Sequence, residues 1–330
     1  MNPPTWLLTL AAVAHLTGAA PAQEPPPPAP QEAEEETPSL RVFTAGASVS
    51  AGYGLSAELR TDGDIPLSVF LSATLSETGR ARVEFVGEGE RWFFNDPYKS
   101  GARLVDAAVA AEADAVVGVD FLFWYAFGAN LRSAPRRSRG LEVGLAELDR
   151  LSCPLVIGDL PDISHALDGK GPFGGPVVNR RLFPSDEERA AMNRAIRAWA
   201  AERDNVLVVP LADLMRRYVE SEPVRVRDLE WAVEGLDEAL QKDLLHPNAR
   251  GTTWVAMVLA DALVRLPGFE DTDFRFDEGA ARARIDTLTA ESRERRVERE
   301  RRRAERKAER EERARKRDDE EGDAPLAMAA

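Results

Sequence analysis

Leu40-Arg41-Val42-Phe43-Thr44-Ala45-Gly46-Ala47-Ser48-Val49-Ser50-Ala51-Gly52 is the stretch on which the reading of this 330-residue chain turns. A short apolar run passes at once into glycine and other small residues, the pattern of a buried strand that ends in a sharp turn. Four further runs of the same kind lie at 81–86, 113–119, 154–158 and 205–209. Helical stretches separate them at 101–112, 141–151, 185–202 and 252–266. Leu141, Leu145, Leu148 and Leu151 share one helical face, and Ser185 with Glu188 has the spacing of a capping box. Strands alternating with helices predict an α/β fold, a three-layer α/β/α sandwich with a central parallel sheet. Ligands in such sheets bind at the carboxyl ends of the strands. Ser48 lies at that edge.

The flanks read differently. The apolar run Trp6-Leu7-Leu8-Thr9-Leu10-Ala11-Ala12-Val13-Ala14 is too short to span a bilayer, and Ala20-Pro21-Ala22 suits cleavage. Residues 1–22 are therefore expected to be a secretory signal, and the protein secreted or periplasmic. Residues 23–39, with Pro25-Pro26-Pro27-Pro28 and Glu34-Glu35-Glu36, read as an extended linker. The domain is expected over 40–268 and a charged helical tail over 269–330. From about 281 the tail is almost entirely Arg, Lys, Glu and Ala, with no sustained apolar stripe for a coiled coil. Glu291 and Arg295, Glu298 and Arg302, Glu309 and Arg313, and Glu312 and Lys316 are spaced to pair along a helix. Ten Lys/Arg against four Glu give residues 301–317 a charge of +6. Such an arm suits either plain solvation or contact with an anionic surface. Its removal from 281 onward is expected to leave the domain intact, and 324–330 are expected to be disordered.

Composition narrows the chemistry. With 44% hydrophobic and 30% charged residues, the chain can bury a substantial core. A net charge of -14 argues against a basic nucleic-acid surface. Cys153 is the only cysteine, which excludes an intramolecular disulfide and a cysteine-based zinc site. Of three histidines, His15 lies in the expected signal, leaving His165 and His246.

A serine hydroxyl needs a base within hydrogen-bond reach, and the base needs an orienting partner. His246 sits in Asp243-Leu244-Leu245-His246-Pro247-Asn248-Ala249-Arg250-Gly251, a loop before the last helix, with Asp243 three residues earlier. Asp162 and His165 repeat that spacing after the fourth strand, but no closing helix follows them; this segment reads as a structural or substrate-side loop. The run Phe121-Leu122-Phe123-Trp124-Tyr125-Ala126-Phe127 reads mainly as core, with an acyl-pocket wall as the alternative.

Gly46-Ala47-Ser48-Val49-Ser50-Ala51-Gly52 resembles the first block of the SGNH/GDSL hydrolases, Gly-Asp-Ser-(Leu/Ile)-Thr-x-Gly, and Asp243-Leu244-Leu245-His246-Pro247 resembles their last, Asp-x-x-His-Pro. The resemblance spans about 40–266. It implies a three-layer α/β/α fold and hydrolysis of esters, including lipids, acetylated sugars and thioesters. It also implies Ser48 as nucleophile, His246 as base and Asp243 as orienting acid, with no cofactor and a small-molecule, saccharide or lipid ester as substrate. Three positions depart from the pattern. Ala47 replaces the first-block Asp. Tyr98-Lys99-Ser100-Gly101 stands for the second block, with Tyr98 in place of its first Gly. Asp120, in Gly118-Val119-Asp120-Phe121, replaces an Asn whose side chain donates to the oxyanion. The implied oxyanion hole is thus the Ser48 amide, the backbone near Tyr98 and Gly101, and Asp120 if protonated; losing one such donor costs about 3 kcal/mol elsewhere. Two other classes stay open: a catalytically impaired ligand-binding domain with an interaction tail, and a hydrolase holding Mg or Ca through Asp120, Asp159 and Asp162.

Overall fold

A computed structural model of the chain describes residues 40–128, 133–171 and 174–322. The expected signal, linker and disordered C-terminus lie outside the described residues. The first half runs β1 (Leu40–Gly46), α1 (Leu55–Leu59), α2 (Leu67–Ala73), α3 (Glu77–Arg82), β2 (Val83–Gly89), α4 (Pro97–Ala110), β3 (Ala115–Gly118), α5 (Phe123–Phe127) and α6 (Ala134–Leu148). The second half runs β4 (Leu155–Gly158), α7 (Asp186–Ala201), β5 (Val206–Val209), α8 (Leu211–Val219), β6 (Val224–Val226), β7 (Leu229–Trp231), α9 (Ala249–Leu263), α10 (Glu278–Leu288) and α11 (Ala290–Gly322).

The strands pair in the order β2-β1-β3-β4-β5, all parallel, with Thr44 opposite Val117 and Val117 opposite Val156. Side chains alternate across a strand. Phe43, Ala45, Val116, Leu155 and Ile157 therefore face one helical layer, built with Leu104 of α4, Leu141 of α6 and Ile196 of α7. Val42, Ala115, Val117 and Val156 face the other, built with Phe70 of α2, Leu259 of α9 and Ile285 of α10. Burial on both faces is why each of these strands reads as a continuous apolar run. The expected cap of α7 forms, with Ser185 and Glu188 each bonding the other's backbone.

Two features differ from the sequence reading. Ala81 and Arg82 end α3 rather than opening a strand, because Ser76 caps the Gly79 amide and starts a short helix there. The domain also does not stop at 268. Phe269, Phe274, Ala281, Ile285 and Thr289 are buried, and Phe274 bridges to Leu75. The start of α11 is docked as well. Arg293 Nε donates to the Leu59 carbonyl at 2.9 Å, Arg296 Nη1 donates to the Ser56 carbonyl at 2.8 Å, and Arg299 pairs with Asp62. Beyond that point, residues 301–316 are exposed, with three of the four expected ion pairs formed along α11: Glu291–Arg295, Glu298–Arg302 and Glu312–Lys316.

Candidate active site

β1 delivers the chain to the carboxyl edge at Gly46, where residues 47–53 coil into a tight turn. Its bonds run from the Ala51 amide to the Ala47 carbonyl at 2.9 Å and from the Tyr53 amide to the Ser48 carbonyl at 3.0 Å. Gly46 has to be glycine, since a Cβ there would stand 2.1 Å from Asp120 Oδ1 and 2.2 Å from Ser50 Oγ. Gly52 adopts φ 67° with the Ile65 carbonyl pressed against it, a second position closed to other residues.

The loop before α9 brings Asp243 and His246 to this turn. Asp243 Oδ1 accepts the Leu245 and His246 amides, each at 3.0 Å, and Asp243 Oδ2 lies 2.7 Å from His246 Nδ1. His246 Nε2 lies 2.9 Å from Ser48 Oγ. The Nδ1 contact with a carboxylate fixes the proton there and leaves Nε2 as the acceptor facing the hydroxyl. Asp243 and His246 are both buried. Burial pushes the Asp243 carboxyl up. The His246 ring, its charge and the two amides more than offset this and hold the carboxyl below the ordinary aspartate range.

Two residues not singled out in the sequence brace this arrangement. Gln241 Nε2 donates to the Tyr53 carbonyl at 2.6 Å and the Pro247 carbonyl at 2.9 Å, tying the serine turn to the histidine loop. The Tyr53 ring packs 4.5 Å from the His246 ring. His165 does not join the site. It leans on the Leu244 backbone, its Nε2 is buried without a partner, and burial pulls its pKa down. With Gly169 packed against the Asp243 backbone, the 163–169 loop is a support for the base loop.

The oxyanion reading needs correction at three residues. Asp120 follows β3, the neighbour of β1, and points into the serine turn. Its Oδ1 accepts the Ala47 amide at 2.9 Å and the Ser50 hydroxyl at 2.6 Å; its Oδ2 accepts the Val49 amide at 2.8 Å and the Ser50 amide at 3.3 Å. Burial pushes its pKa up, and these four donors pull against that. A carboxyl surrounded by donors is an acceptor, so Asp120 shapes the turn and does not donate to an oxyanion. Tyr98 lies half-exposed on α4 against Tyr125, and Gly101 is a close-approach residue whose Cβ would meet the Tyr125 hydroxyl. Neither lines the cavity beside Ser48. The Ser48 amide remains, with no protein acceptor among the described residues.

The three carboxylates weighed as a metal set are engaged separately. Asp120 holds the turn, Asp159 pairs with Arg197 and accepts the Ala212 amide at 2.7 Å, and Asp162 accepts the Ser164 amide at 2.9 Å. Among the described residues no His, Cys, Asp and Glu cluster has the arrangement of a metal site.

The cavity beside Ser48 and His246 encloses about 120 Å³. Of the aromatic run 121–127, Phe123 and Trp124 face it, while Phe121, Tyr125 and Phe127 are core. Its other wall is α8, through Leu211, Leu214, Met215 and Tyr218. That i, i+3, i+4, i+7 spacing is a helical signal that the sequence carried and the reading passed over.

No family model and no curated protein matches the chain. Solved structures similar to it include a lipase/acylhydrolase from Enterococcus faecalis, at 16% identity over 68% of this chain and 95% of that one, with a TM-score of 0.45. An acetylxylan esterase from Geobacillus stearothermophilus has 16% identity over 72% of this chain and 97% of that one, with a TM-score of 0.40. The psychrotrophic esterase from Pseudoalteromonas sp. has 12% identity over 68% of this chain and 96% of that one, with a TM-score of 0.41. This chain is thus similar, at low identity, to solved lipases and esterases.

Proposed function

We propose that the chain is a serine hydrolase of the SGNH/GDSL type that cleaves carboxylic esters through Ser48, His246 and Asp243. The observation that carries this is the unbroken chain of contacts from Ser48 Oγ to His246 Nε2 at 2.9 Å and from Nδ1 to Asp243 at 2.7 Å, joining residues far apart in the chain. Ser48 Oγ attacks the ester carbonyl carbon while His246 Nε2 takes its proton. Asp243 stabilises the resulting imidazolium. The carbonyl electrons move onto oxygen, toward the free Ser48 amide. Collapse breaks the bond to the alcohol, which leaves with the proton from His246. Water then attacks the acyl-serine with His246 as base, releasing the acid and restoring Ser48.

Ser48→Ala should abolish both labelling by a fluorophosphonate serine probe and hydrolysis of aryl esters, while Ser50→Ala keeps labelling. A Ser48→Ala protein that still turns over at the unaltered rate would overturn the assignment. Asp120 favours one second reading. Without the side-chain donor of the resembling family, the site could bind a ligand with weak or no turnover; labelling of Ser48 without ester hydrolysis is its signature.

A further inference from the structure

We propose that the cavity beside Ser48 is an acyl-chain site that selects esters of about six to eight carbons over acetyl esters. The inference rests on the ester-hydrolase reading and names the substrate class it takes. The cavity opens directly at Ser48 and His246, so whatever fills it is attached to the carbonyl that Ser48 attacks.

Its walls decide between an acyl chain and a sugar. Trp124 of α5, Leu214 and Tyr218 of α8, and Val255 and Val258 of α9 present hydrocarbon and aromatic surface. Apart from the Tyr218 phenol and the Trp124 indole N–H, the polar side chains that border it are already engaged. Ser48 and His246 face one another, Asp120 takes four donors, and Asp159 is paired with Arg197 and the Ala212 amide. A pyranose here would leave most of its hydroxyls without partners, at a cost of the order that excludes such ligands from apolar sites. A methylene chain has nothing to satisfy and gains from leaving water.

Its size sets the length. The wall residues run from Leu211 to Tyr218 on α8 and from Gly251 to Val258 on α9. Seven helical residues advance about 10 Å. Eight carbons joined by seven bonds of about 1.5 Å reach roughly 9 Å when extended, so a chain of six to eight carbons fits within that length. The enclosed 120 Å³ agrees with this length. It compares with the apolar cavity of about 150 Å³ that stays dry and admits benzene, a six-carbon guest. Each methylene moved out of water is worth about fourfold in kcat/KM when fully buried.

A series of p-nitrophenyl esters from acetate to dodecanoate tests this on the full-length protein. The expected maximum in kcat/KM lies at hexanoate or octanoate, at least about tenfold above acetate. Val258→Phe narrows the cavity from α9 and Met215→Phe narrows it from α8; each should bring the hexanoate-to-acetate ratio down toward one. The ratio is read only on variants whose melting temperature matches the unaltered protein, and either variant suffices. An optimum at acetate overturns the acyl site while leaving Ser48 as nucleophile. So does a chain-length profile that neither substitution shifts. Absence of ester turnover together with absence of serine-probe labelling overturns both readings.

Discussion

Asp120 occupies the position where the resembling family has a neutral donor, and the fold uses it as an acceptor. With its four bonds to residues 47, 49 and 50 it does for the serine turn what a bound anion does for a ring of amides. Asp120→Asn replaces one accepting oxygen with an NH₂ that faces donors. The expected outcome is a loss of about 1–3 kcal/mol in stability, read by denaturant unfolding, with a fall in turnover as Ser48 loses its position. A rise in turnover at unchanged stability would return Asp120 to the oxyanion hole. Asp243 gives the pH prediction. Its folded pKa lies below its unfolded value, so its ionised form adds stability that is complete above the ordinary aspartate pKa of about 4. That stability is lost as the pH falls through the lower, folded value. The stability gap between the unaltered protein and Asp243→Asn should close as the solution is made more acid than about pH 4. A gap that widens in acid would contradict it. Asp120, raised by burial, acts in the opposite sense and weakens the fold as the pH rises through its folded value.

At the scale of elements, the strands and four of the helices that cover them, α4, α6, α7 and α9, were legible because their cause is local; the short α2 was not read. An apolar run buried on both faces, or leucines spaced by three and four, announces itself without reference to the rest of the chain. The ends of the site were legible for the same reason: a serine after a strand, and an Asp and a His three apart before a helix. The partners of Asp120 were not legible, because they are set by the adjacency of β1 and β3, which no local pattern states. α10 was misread because its apolar face is thin, with Ala281 and Ile285 buried among charged neighbours. Its truncation prediction reverses accordingly. Removing 301–330 should leave the melting temperature unchanged, since 301–316 touch solvent. Removing 278–330 takes away Ile285, Ala281 and the Arg293 and Arg296 bonds to residues 59 and 56. It should cost at least about 2–5 kcal/mol, the range for one large buried side chain. Equal melting temperatures for the two truncations would mean that α10 is dispensable.

At the scale of the whole molecule, the proposed nucleophile and its proposed base come from distant parts of the folded domain. Gln241 bridges the serine turn and the histidine loop, and Ser48 and His246 are 198 positions apart in the chain. This separation has a consequence in time. A ribosome adding about 5–20 residues per second takes some 10–40 s to pass from one residue to the other. Throughout that interval Ser48 exists without its proposed base. Nor does reaching His246 suffice, because the loop is held by α9 and by segments that emerge later still. On the proposed mechanism the nascent protein is silent toward esters until most of the domain has been made, and the first turnover would report that the serine turn after β1 and the loop before α9 have met.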